Sequence, residues 1–164
     1  MMKKLMLLSV VLLPLLFASC NAPKGVPSTK GTANLQKTIN GPWLLNTVTY
    51  EDNEGKFTSI LFNDADASCF EGTEWYFRNN NNTGSYIIES SDNCSGGERF
   101  FRWSILNTGQ LQFKAIDSKY KDISGGLGYR LDIANLEDSQ MVLKSRVSVE
   151  GEPITIVYSF TKNQ

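Results

Sequence analysis

From Trp43 to the C-terminus, apolar residues recur at every second position, and that period limits the fold more than any other property of the chain. Leu111, Phe113 and Ala115 alternate with Gln112 and Lys114, and Tyr129, Leu131 and Ile133 with Arg130 and Asp132. Ile154, Ile156, Tyr158 and Phe160 alternate with Thr155, Ser159 and Thr161. Side chains on a strand point to opposite faces in turn, so this pattern predicts half-buried antiparallel strands. About eight segments carry it, near residues 42–50, 72–79, 83–90, 98–106, 110–117, 127–136, 140–150 and 153–162. Asn107-Thr108-Gly109, Gly125-Gly126, Glu137-Asp138-Ser139 and Glu150-Gly151-Glu152-Pro153 separate them with residues suited to reversing the chain. Successive strands on short links predict an all-β, eight-stranded antiparallel up-and-down barrel, because closure removes the edges of an open meander. A two-sheet sandwich is the alternative. No helical face of convincing length is evident. Phe57 to Phe62 reads either as a helical turn or as a short strand, with apolar content suited to covering one barrel mouth.

Alternation places Trp43, Leu45, Trp75, Phe77, Tyr86, Ile88, Phe101, Trp103, Phe113, Leu131, Ile133, Leu143, Tyr158 and Phe160 inside. An eight-stranded barrel is either just filled by its side chains or just able to hold one small ligand. Aromatic residues suit both outcomes, since they fill space and also line pockets with an apolar body and a polar tip. If a cavity exists, its candidate lining is Trp43, Trp75, Phe77, Tyr86, Phe101, Trp103, Phe113, Leu131 and Tyr158.

Cys69 and Cys94 flank the run Asn79-Asn80-Asn81-Asn82-Thr83-Gly84, whose residues tolerate the positive φ of tight turns. A turn centred between Asn81 and Asn82 would set Phe77 opposite Tyr86 and Trp75 opposite Ile88, with Glu74, Tyr76 and Arg78 on the other face. In an exported chain the two thiols are expected to form a disulfide across the open end of this hairpin. The chain-entropy model assigns such a loop about 3.5 kcal/mol.

Catalysis finds little support. The chain has no histidine, which removes the usual general base near neutral pH, His-dependent triads and most catalytic zinc sites. The segment Asp64-Ala65-Asp66-Ala67-Ser68 resembles the start of a calcium loop. However, Cys69 stands where the turn glycine belongs and no acidic residue closes the loop, so a solvated loop is the preferred reading and no metal is expected. Glu71 and Glu74 are read as facing water. With 16 basic and 17 acidic residues mixed along the chain, neither nucleic-acid binding nor an electrostatic membrane patch is supported, and the charges from Lys114 to Asp122 alternate in sign and read as a solvated loop. The expectation is a protein that is not an enzyme and carries no cofactor.

At the N-terminus, Met1-Met2-Lys3-Lys4, the apolar run Leu5 to Phe17, and Phe17-Ala18-Ser19-Cys20 read as a signal peptide over residues 1–19. The run is shorter than the roughly 18 apolar residues of a membrane span and contains Pro14. Small residues directly before Cys20 resemble the lipobox of bacterial lipoproteins. That resemblance implies lipidation of Cys20 and a membrane anchor of several acyl chains. Residues 20–38 are rich in Pro, Gly, Ser and Thr without apolar periodicity and read as a flexible tether about 25 Å long. Residues 39–164 then form one domain. With no Asp beside Cys20, the expected location is the outer membrane of a cell envelope, facing the periplasm.

Gly41-Pro42-Trp43 at the start of the first strand resembles the Gly-x-Trp signature of lipocalins. The bridged central hairpin and the final strand Tyr158-Ser159-Phe160-Thr161-Lys162 are similar to bacterial lipocalin-like lipoproteins. A second family signature, a Thr-Asp-Tyr type turn, is absent. The basic residue that packs over the signature tryptophan in this family corresponds to Lys162 or Arg146. The resemblance implies a calyx for a small hydrophobic ligand. Two readings are open: an anchored carrier or sensor, or a filled barrel acting as an interaction or inhibitor module toward an envelope protein partner. In the second, Tyr50, Tyr76, Phe100 and Tyr120 form the contact patch.

Overall fold

The computed structural model describes residues 29–51, 59–149 and 151–163. The signal-peptide segment, Cys20 and the start of the tether lie outside the described residues, as do Phe57 and Thr58. The chain runs through helix α1 (Thr29–Ile39), strand β1 (Gly41–Glu51), a small hairpin of β2 (Ile60–Leu61) and β3 (Ala65–Asp66), and a 3₁₀ turn at Ala67–Cys69. Next come β4 (Thr73–Arg78), β5 (Thr83–Ile88), β6 (Gly97–Ile105), β7 (Leu111–Ile116), β8 (Tyr129–Leu136), β9 (Gln140–Val149) and β10 (Glu152–Lys162). β1 and β4 through β10 close into an antiparallel barrel in the order β1-β10-β9-β8-β7-β6-β5-β4, the up-and-down arrangement expected from the alternation.

β1 completes the closure because it pairs with two partners. Gly41 to Leu45 lie against β4, while Trp43 to Glu51 lie against β10. Between Leu45 and Thr47 the register with β10 shifts by one residue. Asn46 is the extra residue, and Asn46 and Thr47 both face solvent. Buried positions therefore fall at Trp43, Leu45 and Val48 instead of continuing in strict alternation. A bulge bends its strand, and this one lets β1 serve both edges. A second bulge at Ala134 in β8 has the same effect on parity and leaves Ile133 only half-buried. The other thirteen residues assigned to the interior by alternation are buried.

The β4–β5 hairpin corrects the expected register. Trp75 pairs with Tyr86 and Phe77 with Gly84, a slip of two residues that preserves the faces but moves the turn to Asn79–Asn82. Gly84 explains the choice. A Cβ at that position would lie 2.3 Å from Phe101 Cζ and 2.5 Å from the Tyr76 carbonyl oxygen, so only glycine admits the Phe101 ring beside Phe77. The expected disulfide is present: Cys69 and Cys94 are bridged with their Cα atoms 5.6 Å apart.

The tether expectation needs correcting over residues 29–38. These residues form most of α1, and Leu35 and Ile39, one turn apart, are half-buried and fully buried against the core. The groups that hold the helix come from far along the chain. Trp43 Nε1 donates to the Ile39 carbonyl at 2.7 Å, and Lys162 Nζ donates to the carbonyls of Thr38 (2.8 Å) and Asn40 (2.7 Å). A cation at the last turn satisfies carbonyls that the helix itself leaves unpaired. The same ammonium lies 4.4 Å from the Trp43 ring centroid, which assigns the packing role to Lys162. Arg146 lies instead beside the opposite mouth. α1, Trp43 and Lys162 thus seal one end of the barrel.

Candidate functional site

Within the barrel, aromatic rings fill the sealed half. Trp75 stacks on Tyr86 with centroids 4.4 Å apart and lies 6.1 Å from Phe77, while Phe77 meets Trp103 edge-on at 5.4 Å. Trp103 Nε1 donates to the carbonyls of Arg78 and Thr83, so its polar tip is satisfied without a ligand. Trp43, Trp75, Phe77 and Trp103 therefore belong to the packed core and line neither of the two cavities at the other end.

The open end is different. The β2–β3 hairpin turns inward, and its tip residues Phe62 and Asn63 both hold positive φ, 53° and 52°. That conformation is uncommon for any residue with a side chain. It aims the Phe62 ring into the barrel, 4.8 Å from Phe113, 5.3 Å from Tyr129, 5.4 Å from Phe70 and 5.5 Å from Tyr158. The Tyr129 hydroxyl donates to the Phe62 carbonyl at 2.6 Å. Residues 59–62 of that segment cover a barrel mouth, through one ring used as a plug.

Two cavities flank the plug. The larger, about 890 Å³ and half-open to solvent, lies between the hairpin tip, β6, β7 and the β7–β8 loop. Tyr86, Phe101 and Phe113 of the expected set line it, joined by Phe62, Phe100, Ile123, Leu127 and Tyr129. The smaller, about 440 Å³, lies toward β8, β9 and β10 and takes Leu131 and Tyr158 of the expected set. The inward set omitted Ile123, which sits in a glycine-containing loop, and Leu127, which alternation puts at the head of the segment near 127–136 but which lies in that loop because β8 begins at Tyr129.

One charged constellation stands in the wall of the larger cavity. Asp64 accepts from the Tyr86 hydroxyl at 2.8 Å and pairs with Arg99 Nε at 3.1 Å. Arg99 also donates to the carbonyls of Gly97 and Ser95, at 2.8 and 2.7 Å. Burial first, and then the bond to Asp64, push the Tyr86 pKa well up, so its phenol stays neutral. With its oxygens engaged in this way, Asp64 acts as a latch that fixes the hairpin tip to β5 and β6. The segment that resembles the start of a calcium loop thus has a structural role. Among the described residues no group of three metal-ligating side chains is found. The Tyr50, Tyr76, Phe100 and Tyr120 set is dispersed: Phe100 lines the larger cavity, Tyr50 bonds to Ser59, Tyr76 lies under Arg78 on β4, and Tyr120 is in the β7–β8 loop.

Tyr158, in the wall of the smaller cavity, sets an alkaline limit on stability. Burial raises its pKa from 10.0 to about 12, partly opposed by the hydrogen bond with Ser145. The unfolded phenol ionises near 10 while the folded one stays neutral. The stabilisation is therefore complete below about pH 10 and is lost as pH rises toward 12, at about 1.4 kcal/mol per unit. Tyr158→Phe should flatten a plot of unfolding free energy against pH in this window by about one proton. An unchanged slope would show that Tyr158 is solvated.

The lipocalin-like domain family model matches residues 39–143. No curated protein sequence matches the chain. Among solved structures, bovine odorant-binding protein in complex with a selenium-containing odorant is similar at 11% identity and a TM-score of 0.46, covering 79% of this chain and 73% of that one. Apocrustacyanin C2 is similar at 12% identity and a TM-score of 0.46, covering 82% and 65%. Lobster apocrustacyanin A1 is similar at 10% and 0.45, covering 80% and 64%. With a closed eight-stranded barrel, Gly41-x-Trp43 opening its first strand under Lys162, and a family model matching from Ile39 to Leu143, the chain belongs to the lipocalin-like domain family.

Proposed function

We propose that this protein is a carrier for a small hydrophobic molecule, held to the outer membrane of a cell envelope through acyl chains on Cys20 and facing the periplasm. The observation that carries the ligand reading is the cavity of about 890 Å³ at the open mouth. Its volume falls in the range of small-molecule sites, and apolar rings dominate its wall around a few fixed polar groups. The anchor reading rests on the order of basic start, apolar run and Ala18-Ser19-Cys20.

The uncharged dye N-phenyl-1-naphthylamine tests the ligand reading. It should fluoresce on saturable binding and be displaced by medium-chain alcohols. In Phe62→Ala the two cavities merge, so longer alcohols that compete poorly with the native protein should gain the most. A protein that leaves the dye dark in both forms would overturn the carrier reading. Mass spectrometry of the N-terminal peptide from native material tests the anchor, which requires an acylated cysteine as the first residue.

A further inference from the structure

We infer that Asp64 sets the ligand class of the larger cavity: its carboxylate fills an anion receptor in the wall, so the cavity takes uncharged apolar molecules and refuses fatty carboxylates. This inference rests on the carrier reading and narrows it.

Three donors converge on the Asp64 carboxylate. The Tyr86 hydroxyl donates to Oδ2 at 2.8 Å, Arg99 Nε donates to the same oxygen at 3.1 Å, and Arg99 Nη2 donates to Oδ1 at 3.3 Å. A guanidinium edge that meets both oxygens is the planar fork suited to recognising carboxylates. The receptor keeps its shape without Asp64. Arg99 Nη1 donates to the Gly97 carbonyl at 2.8 Å and Nη2 to the Ser95 carbonyl at 2.7 Å, so backbone groups orient the guanidinium. Tyr86 is buried in β5 and stacked on Trp75. Asp64, by contrast, arrives from the hairpin tip, where its N–H donates to the Leu61 carbonyl at 2.9 Å. All three side chains line the cavity, and Phe101, 6.2 Å from Tyr86 between ring centroids, continues its apolar wall. A ligand carboxylate held by Arg99 and Tyr86 would therefore lay its chain on that wall.

Effective concentration decides which carboxylate is bound. A tethered group acts at an effective concentration on the order of millimolar or more, so at equal intrinsic affinity a free carboxylate at about micromolar concentration fills about one receptor in a thousand. Displacing Asp64 would also release the tip that carries Phe62. Outside the receptor the rim is near charge balance, since Glu98 and Asp117 line the cavity and Lys119 and Lys121 follow in the adjoining loop. Arg99 and Asp64 are only 21% and 23% exposed, and a second carboxylate brought beside them would lose water without gaining a partner. An uncharged ligand meets no such penalty, because among the described residues every buried side-chain polar atom already has a partner.

Displacement of N-phenyl-1-naphthylamine by decanol and by decanoate, at about pH 8 where the acid is ionised, tests the inference. The two competitors have the same chain length, so the ratio of their affinities reports the head group and cancels changes in the fit of the chain. Every form is the full chain, so dye taken up outside the cavity is common to all. Decanol should win in the native protein. Asp64→Asn keeps the side-chain shape but removes its charge, and should raise decanoate relative to decanol on the order of tenfold. Asp64→Ala, which empties the receptor, should raise it further, and adding Arg99→Gln to either variant should abolish the gain. Decanoate should also lift the thermal melt of Asp64→Asn more than that of the native protein, a readout that does not pass through the dye and that stands if the alanine variant fails to fold. A ratio that stays at its native value in Asp64→Asn overturns the inference, as does a native protein that takes decanoate as well as decanol. Either result, with the dye still displaced by decanol, sinks the role of Asp64 and leaves the carrier reading in place. A dye that stays dark in every form sinks the carrier reading and this inference with it.

Discussion

Trp43→Ala is expected to cost the barrel about 4 kcal/mol, more than any other single truncation at the sealed end. Three losses coincide at this residue. A fully buried indole is removed from the one stretch of β1 where both barrel edges meet, since Trp43 pairs with Lys162 on β10 and Trp75 on β4. The Ile39 carbonyl loses its donor at 2.7 Å. The Lys162 ammonium loses the ring beneath it, and burial already lowers the pKa of that lysine, so the cation is partly stripped of water. Trp43→Phe keeps an aromatic face and most of the volume but gives up the N–H bond, and should cost about 1–2 kcal/mol. Chemical denaturation followed by far-ultraviolet circular dichroism separates the two. Hydrogen exchange should also show α1 losing protection in the alanine variant well before the strands do. Equal costs for the two variants would mean that the ring contributes nothing beyond its hydrogen bond.

That cluster also shows which parts of this fold could be read from sequence. Alternation is a local property, and where a strand is regular it locates the segment and its inward face, as in β4, β7 and β10. It fails where the chain inserts a residue. Neither Asn46 in β1 nor Ala134 in β8 carries a local mark of a bulge, yet each shifts the parity of the residues after it. The hairpin register slips for a related reason. Four asparagines in a row allow several turns, and the choice is made by Phe101 on a third strand needing the space beside Gly84. Helix α1 is hidden because its stability is not its own. Among its described side chains only Leu35 and Ile39 pack against the core cluster, and the groups that fix its last turn, Trp43 and Lys162, lie outside its window.

The site was legible to the same degree and for the same reason. Tyr86, Phe101, Phe113, Leu131 and Tyr158 line cavities because strand alternation places them inside. Whether an inward ring lines a cavity or fills the core is decided by its height along the barrel axis, and alternation carries no height. Phe62 shows the other limit. Its segment is identifiable as apolar cover, but the pair of positive φ angles that turns the ring inward belongs to a tip latched by Asp64 onto Tyr86 and Arg99.

Removal of the Cys69–Cys94 bridge is the second large effect expected. Cys69→Ala/Cys94→Ala should lose about 3.5 kcal/mol, because the bridge closes a loop spanning 25 residues in the unfolded chain. Position gives this loss a local consequence as well. Cys69 ends the 3₁₀ turn that carries the chain from the latched hairpin into β4, and Cys94 lies in the turn between β5 and β6, beside the Ser95 carbonyl that holds Arg99. Loosening this junction should therefore weaken the Asp64 latch and with it the Phe62 plug, so the double variant should bind the uncharged dye with altered affinity even where it remains folded. One competing restraint sets the scale of the test. Ser91 and Cys94 exchange two backbone hydrogen bonds, at 3.1 and 3.3 Å, which hold the second turn without help from the sulfurs. If these bonds suffice to hold the mouth, dye affinity will not change, while the loss from the freed unfolded chain remains; a loss under about 1 kcal/mol would show that the bridge restricts the unfolded chain little. A loss near the full loop-closure value with altered dye binding would instead identify the disulfide as the strut on which the open mouth is assembled.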